Sequence, residues 1–318
     1  MSSSAASARL HDKSRLRRRT EHLIIRWVTG FFALLARLLP LQCLQSIGDA
    51  VGSLLVCLLR PRREIAMANL EKILGDRYDV HERSRIVSFS IRNMAKTMLE
   101  LMKLGWMSEE ETDQFAPIRG AENLHGAAAA GEGVIIITAH FGNWEVVAAS
   151  IARLGHKLSV IARDADDPET ASIINRSRET VGGKVLPRES VREMLRILRR
   201  GDVLGILPDQ HADRGGVWLP FMGHLACTAT GPATLAYRTG AKIVPAFARR
   251  TEDNRLDVYF LPPIELPDTG DREADIRRGT IMVNEVLGEQ IRTYPEQWVW
   301  MHRRWREPPA EVLAEQTQ

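Results

Sequence analysis

The periodicity of apolar and polar positions changes near residue 117. Upstream, an apolar region from about Leu23 to Leu59 is interrupted only by Arg26, Arg37, Asp49 and a few small or polar residues. Pro40 divides it into two helices. Arg60-Pro61-Arg62-Arg63-Glu64 opens a third helix that runs through Leu74, and a fourth runs from His81 to about Gly105. Ile86, Ser90, Met94, Met98 and Leu101 follow one side of that fourth helix. Downstream, short apolar and β-branched runs predict strands at 134–139, 158–162, 203–208, 243–248 and 256–261. Between and after them, helical patterns predict segments at 121–130, 143–154, 168–181, 188–200, 229–239 and 272–293. Such alternation predicts an α/β fold with a central, mostly parallel mixed sheet flanked by helices and preceded by membrane-associated N-terminal helices. The expected division is a basic, disordered N-terminus at 1–19, a helical docking region at 20–110, an α/β core at 111–308 and a short tail at 309–318. No internal repeat is present.

Composition sharpens the reading of the N-terminal part. The chain has 318 residues, 44% hydrophobic, which is ample for a buried core. Its net charge of only +3 does not point to a nucleic-acid partner, but Lys13, Arg15, Arg17, Arg18 and Arg19 crowd one end. A cleavable signal peptide does not fit, because the apolar character continues too far and carries charge. A spanning helix fits poorly for the same reason, since each central Arg costs roughly 2.5–3.5 kcal/mol on insertion scales. The expected arrangement is helices lying in the interface with arginines reaching to anionic headgroups, held on the cytoplasmic face by the basic cluster. A soluble hairpin packed on the protein's own core is the alternative. The three cysteines show no paired spacing, so neither a disulfide framework nor a structural zinc site is indicated.

The chemistry concentrates at His140-Phe141-Gly142-Asn143-Trp144-Glu145. Val134–Ala139 carries no charge and reads as a strand buried on both faces, so His140 falls at its carboxyl end. Gly142 allows a tight turn, Asn143 caps the next helix and, with Gln210, is expected among the substrate-binding residues, and Glu145 sits in that helix's first turn. Ligands of open α/β sheets bind at this edge. The expected roles are His140 as general base on a hydroxyl and Glu145 as acceptor of the imidazole's other N–H. On a continuous helix, residues five apart would diverge by roughly 140°, so the pair can meet only across a turn.

Two more strand ends point to the same crevice. Arg163 follows 158–162 and suits a phosphate or an oxyanion. Asp209 and Gln210 follow 203–208, Asp209 being expected to bind an acceptor's polar head or to position Arg163. Farther along, Phe221 and Gly223 mark a segment that could wall an acyl groove. Arg303, within the Trp-rich run Pro295–Trp305, suits a headgroup or a bilayer interface, though a packed aromatic corner is equally compatible. His140, Asp209, His211 and Asp213 together also have the chemistry of a metal hydrolase, but H-x-x-x-x-E is not a zincin spacing. A non-enzymatic membrane adaptor is a third class, and it would have no need of these strand-end residues.

The His140–Glu145 block resembles the His-x4-Asp/Glu motif of membrane acyltransferases, in the branch that acylates lipid A precursors and related glycolipids. Arg163 in Ile161-Ala162-Arg163-Asp164, Pro208-Asp209-Gln210-His211, Val217–Phe221 through Cys227–Gly231, and Pro295–Trp305 match in order. The resemblance spans roughly residues 20–308. It implies a glycerol-3-phosphate acyltransferase-like core at the inner membrane and site roles for Arg163 and Asp209. It also implies an acyl thioester donor on acyl carrier protein or coenzyme A, no cofactor, and a lipid A precursor or another glycolipid, such as a phosphatidylinositol mannoside, as acceptor. No G-x-S-x-G elbow is present and Cys227 stands apart from the corner, so direct attack without a covalent enzyme intermediate is expected.

Overall fold

The computed structural model describes residue 23 and residues 25–161, 168–213 and 215–315; the basic N-terminal cluster and Arg163 lie outside them. A helix over residues 25–38 (α1) is followed by α2 (Leu41–Leu58), α3 (Arg60–Leu74), α4 (Val80–Leu104) and α5 (Glu109–Phe115). The α/β part then runs β1 (Ile118–Arg119), α6 (Ala121–Ala129), β2 (Val134–Ile137), α7 (Trp144–Arg153), β3 (Leu158–Ile161), α8 (Pro168–Thr180) and β4 (Gly183–Leu186). It continues through α9 (Val191–Arg199), β5 (Val203–Ile206), β6 (Val217–Phe221), β7 (His224–Thr228), α10 (Gly231–Thr239), β8 (Lys242–Arg250), β9 (Leu256–Phe260) and α11 (Arg272–Thr293). A 3-10 turn (Pro295–Gln297) and α12 (Ala310–Glu315) complete the order.

Seven strands form one sheet in the order β1-β9-β8-β2-β5-β3-β4. All neighbours are parallel except β8 and β9. Three elements were not legible as strands in the sequence: the two-residue β1, the short β4, and the β6–β7 hairpin, which forms a separate two-stranded sheet. The uncharged run of β2 is buried on both faces, as its composition predicts. Ile135 and Ile137 join a core with α3, α4, α9, α10, α11 and the C-terminal tryptophans. Val134 and Ile136 join a second core with α5, α6 and α7. The sheet is therefore covered on both sides, and its carboxyl edge at β2, β5 and β8 is left for chemistry.

Helices α2 and α4 approach closely along a glycine seam. A Cβ built on Gly48 would stand 2.7 Å from Lys96 Cγ, and one on Gly52 would stand 2.5 Å from Arg92 Cα. Asp49, between them, reaches Arg92 Nη2 and Lys96 Nζ at 3.0 Å each. Among the described residues α2 is the one helix long and apolar enough to cross a membrane, yet this polar seam fixes it to α4. Apolar side chains of α1, including Trp27, Phe31, Leu34 and Leu38, are exposed together with Leu54 and Leu58 of α2.

Gly52→Val is expected to destabilise the fold by about 1–3 kcal/mol through overpacking against the α4 backbone. Gly126→Ala, in the exposed middle of α6 where an added Cβ meets nothing within 4 Å, is expected to stabilise it by about 0.5–1 kcal/mol. Urea unfolding of the two variants should give shifts of opposite sign; a Gly52→Val midpoint equal to wild type would contradict the seam.

Candidate active site

His140 leaves the end of β2 and enters a corner held from several sides. Gly142 adopts φ +55°, and a Cβ there would land on the carbonyl oxygen of Ala248, so the turn admits only glycine. The Gly142 N–H donates to Gln297 O at 2.8 Å, the Asn143 N–H to Ala248 O at 2.9 Å, and the Val299 N–H to His140 O at 3.0 Å. Asn143 then caps α7, its side chain accepting from the Val146 N–H at 3.2 Å. Strand β8 and the 297–299 segment thus fix the backbone on both sides of the imidazole.

The imidazole's partner is Asp209 rather than Glu145. Asp209 follows β5, the neighbour of β2, and its Oδ1 lies 2.9 Å from His140 Nδ1. Its Oδ2 accepts from the His140 backbone N–H at 2.9 Å and from Trp298 Nε1 at 2.8 Å. An ionised carboxylate can only accept, so Nδ1 carries the proton and the neutral ring presents the lone pair of Nε2. The His140 side chain is 26% exposed, against 1% for Asp209. At that burial the Asp209 oxygens face His140 and Trp298 rather than open solvent. Burial works against the imidazolium, but the charge and hydrogen bond of Asp209 outweigh it, with help from the charge of Glu145, so the His140 pKa is raised above 6.5. Burial likewise works against the Asp209 carboxylate, yet the facing imidazole and its donors hold it down at about 2.

Glu145 points to α8 instead. Its oxygens accept from Arg178 Nε at 3.0 Å and Nη2 at 2.6 Å, and from Trp144 Nε1 at 3.1 Å. From the second position of α7, behind the cap, its side chain pairs with that arginine and not with the imidazole. The Trp144 ring lies 5.2 Å from the His140 ring, so Glu145 reaches the imidazole through its neighbour. No sequence pattern marks Arg178, thirty-three positions from Glu145. Trp298 was visible only as one member of an aromatic run.

The remaining expected residues separate into two groups. Gln210 is part-buried and places Nε2 at 3.5 Å from His140 Nε2, facing the reactive side of the ring. Arg303 is exposed and lines an open cleft of about 510 Å³ with Asn69, Trp305, Arg306 and Glu307. Asn143 is fully buried, its side chain engaged as the cap of α7 and with Glu100 rather than turned to the cleft. Phe221 is likewise buried, packed against Trp298 and Trp305 beneath the Arg304 guanidinium, and walls no open groove. Gly223 sits in the β6–β7 turn, beside a groove of about 160 Å³ rather than at the His140 corner. The Trp-rich run is a packed corner, with Trp298 and Trp300 fully buried.

His302 lies within electrostatic range of His140 and Asp209, and burial pushes its pKa down to about 4, so it is neutral. His211 packs edge-on against Trp218, and Asp213 pairs with Arg306 at 3.0 Å, so neither joins His140 and Asp209. Among the described residues no group of three or more His, Cys, Asp and Glu side chains is arranged to hold a metal. Cys227 donates to Ala212 O at 3.2 Å, and burial raises its pKa, which does not suit a nucleophile.

Most of the chain's length is similar to known acyltransferases. Residues 11–307 match the family model described as bacterial lipid A biosynthesis acyltransferase. The chain is 25% identical over 277 residues to a lipid A biosynthesis lauroyltransferase of Escherichia coli, covering 86% of this chain and 89% of that one. It is 22% identical to a lipid A biosynthesis palmitoleoyltransferase of the same organism, covering 85% and 87%. A phosphatidylinositol mannoside acyltransferase of Mycolicibacterium smegmatis is 22% identical over 69% of this chain and 72% of its own. Matched over residues 11–307, the chain belongs to the bacterial lipid A biosynthesis acyltransferase family and is an enzyme that transfers acyl groups.

Proposed function

We propose that the enzyme moves a fatty acyl group from an acyl thioester, carried on acyl carrier protein or coenzyme A, to a hydroxyl of a lipid A precursor or similar glycolipid. The observation that carries this reading is the His140 Nδ1–Asp209 Oδ1 contact of 2.9 Å, which leaves Nε2 free of its own proton. Nε2 takes the proton of the acceptor hydroxyl as its oxygen attacks the thioester carbonyl. The tetrahedral oxyanion collapses, the C–S bond breaks, and the departing sulfur receives the proton from the imidazolium. The N–H groups of Trp144 and Glu145 at the start of α7 are the candidate oxyanion donors, with Arg163, to which the resemblance gives a site role and whose guanidinium suits that charge. The Asn143 N–H is already donated to Ala248 and does not join them. Gln210 orients the acceptor beside Nε2.

The exposed apolar face of α1, with Trp27, Phe31, Leu34 and Leu38, supports docking at a membrane surface; the cytoplasmic face of the inner membrane is the setting that the resemblance and the basic N-terminal cluster suggest. The lipid A relatives align over more of the chain than the phosphatidylinositol mannoside relative, 86% against 69%, which favours the lipid A branch for the acceptor. Mass spectrometry of lipids from cells lacking or over-expressing the protein should read one missing or one added acyl group. An unchanged lipid A profile with an altered mannoside profile would move the acceptor to the other branch.

His140→Ala is expected to lower turnover by about 10²- to 10⁴-fold while vesicle binding stays at the wild-type level. Turnover equal to wild type in the folded variant would reject the base. The pH profile gives a second check. A base must be neutral, and the His140 pKa is raised above 6.5, so kcat/KM should climb with pH through an apparent pKa above that value. Asp209→Asn should bring this limb to lower pH and reduce kcat by about 10²- to 10⁴-fold, through loss of both charge and tautomer control. An unmoved limb would mean that another group titrates.

A further inference from the structure

Glu100 has no part in the chemistry above, yet its buried carboxylate collects four donors. Oε1 accepts from Gln45 Nε2 of α2 and from Arg250 Nη1 of β8, both at 2.8 Å. Oε2 accepts from Asn143 Nδ2 and from Arg250 Nη2, both at 2.7 Å. Glu100 and Arg250 side chains are each 1% exposed, so the pair is bidentate and out of solvent. Arg250 extends the network by donating Nε to Asn93 Oδ1, and its main chain exchanges hydrogen bonds with the Gln297 side chain at 3.0 and 3.1 Å. Asn93 Nδ2 and Thr97 Oγ1, one turn apart on α4, both donate to Gly142 O, at 2.9 and 3.1 Å. Three of these bonds, from Glu100, Asn93 and Thr97, end on Gly142 and Asn143, the residues that carry the chain from His140 into α7, and the others brace the groups that make them.

A buried ion pair is a poor choice where stability alone is needed, because well-packed apolar residues of similar volume often serve as well or better. What a bidentate, fully hydrogen-bonded pair adds is direction. Here the direction is toward the one helix start whose N–H groups and preceding imidazole must keep a fixed relation. We propose that Glu100 is a positioning residue for acyl transfer: through Asn143 it sets the start of α7, and with it the His140 ring, in a frame built by α2, α4 and β8. The proposal rests on His140 being the base.

The test uses the full-length enzyme in vesicles with Asn143→Ser, Glu100→Gln, the double variant and His140→Ala as reference. Serine keeps an N-cap oxygen but is too short to reach Glu100, and glutamine keeps the shape of the glutamate without its charge. Each kcat is taken per folded enzyme, with folding followed by urea titration. Asn143→Ser is expected to lower kcat by about 10- to 100-fold with KM within about twofold, the size of effect that small misplacements of a reacting group produce. The double variant should be no slower than the slower single one, because both cut the same connection. Wild-type kcat in folded Asn143→Ser and Glu100→Gln, with only the unfolding midpoint lowered, would overturn the proposal and leave Glu100 as a brace. Multiplying losses in the double variant would also overturn it. If His140→Ala itself retains turnover, the base assignment fails, which is a separate result.

Discussion

The burial of Asp209 is the constraint on which the site depends. Withdrawing an ionised carboxylate from water without partners costs several kcal/mol, so a side chain 1% exposed has to be met by donors. Its donors come from two distant parts of the chain, the His140 main chain and ring and the Trp298 indole. Trp298 is itself anchored, its carbonyl accepting from Ser90 of α4 and its main chain bridging to Phe141. The carboxylate is therefore comfortable only when the ends of β2 and β5, the C-terminal segment and α4 are assembled at once. The His140 corner and the tertiary fold are completed by the same bonds.

The sheet topology explains why so few elements suffice. Strand β5 returns to lie between β2 and β3, which sets the ends of β2 and β5 side by side and delivers Asp209 to His140. Strand β8 flanks β2 on the other side and runs parallel to it, so its last residues, Ala248 and Arg250, arrive at the same edge. From there a main-chain carbonyl accepts from the Asn143 N–H, and a guanidinium donates to the Glu100 carboxylate. Side chains that alternate along β2 secure the strand to two different cores, which keeps its end from shifting relative to either neighbour.

Much of this was written locally in the chain. An uncharged β-branched run reads as a doubly buried strand, and Gly142 and Asn143 read as a turn and a cap, because those signals depend on neighbours in sequence. The strand-end placement of His140 and Asp209 was legible for the same reason. Which carboxylate meets the imidazole was not: sequence spacing favoured Glu145, whereas strand order favoured Asp209, and strand order is set by long-range packing. Phe221 looked like a groove wall because a buried aromatic and an acyl-contacting one have the same local pattern. One overlooked signal was present. Ser90, Asn93, Thr97 and Glu100 follow one another at helical spacing on a largely buried face of α4, and a polar stripe there calls for partners.

The electrostatics of the His140–Asp209 pair bear on why this arrangement suits a base. Asp209 has a depressed pKa of about 2, so its contribution to stability is present above its unfolded value near 3.8 and is lost as pH falls toward 2. His140 has a raised pKa, so its contribution is complete below its unfolded value of 6.5 and is lost as pH rises through the folded value. The ion pair thus stabilises the resting protein most in the window between, where the imidazole is already protonated and cannot accept. Above that window the resting enzyme retains the hydrogen bond but gives up the charge pair. In the proposed reaction the proton taken from the alcohol recreates it, so the attraction that the resting state lacks returns as the oxyanion forms. An interaction stronger in the transition state than in the ground state is the kind that accelerates a reaction, and the closed surroundings of Asp209 keep water from weakening it.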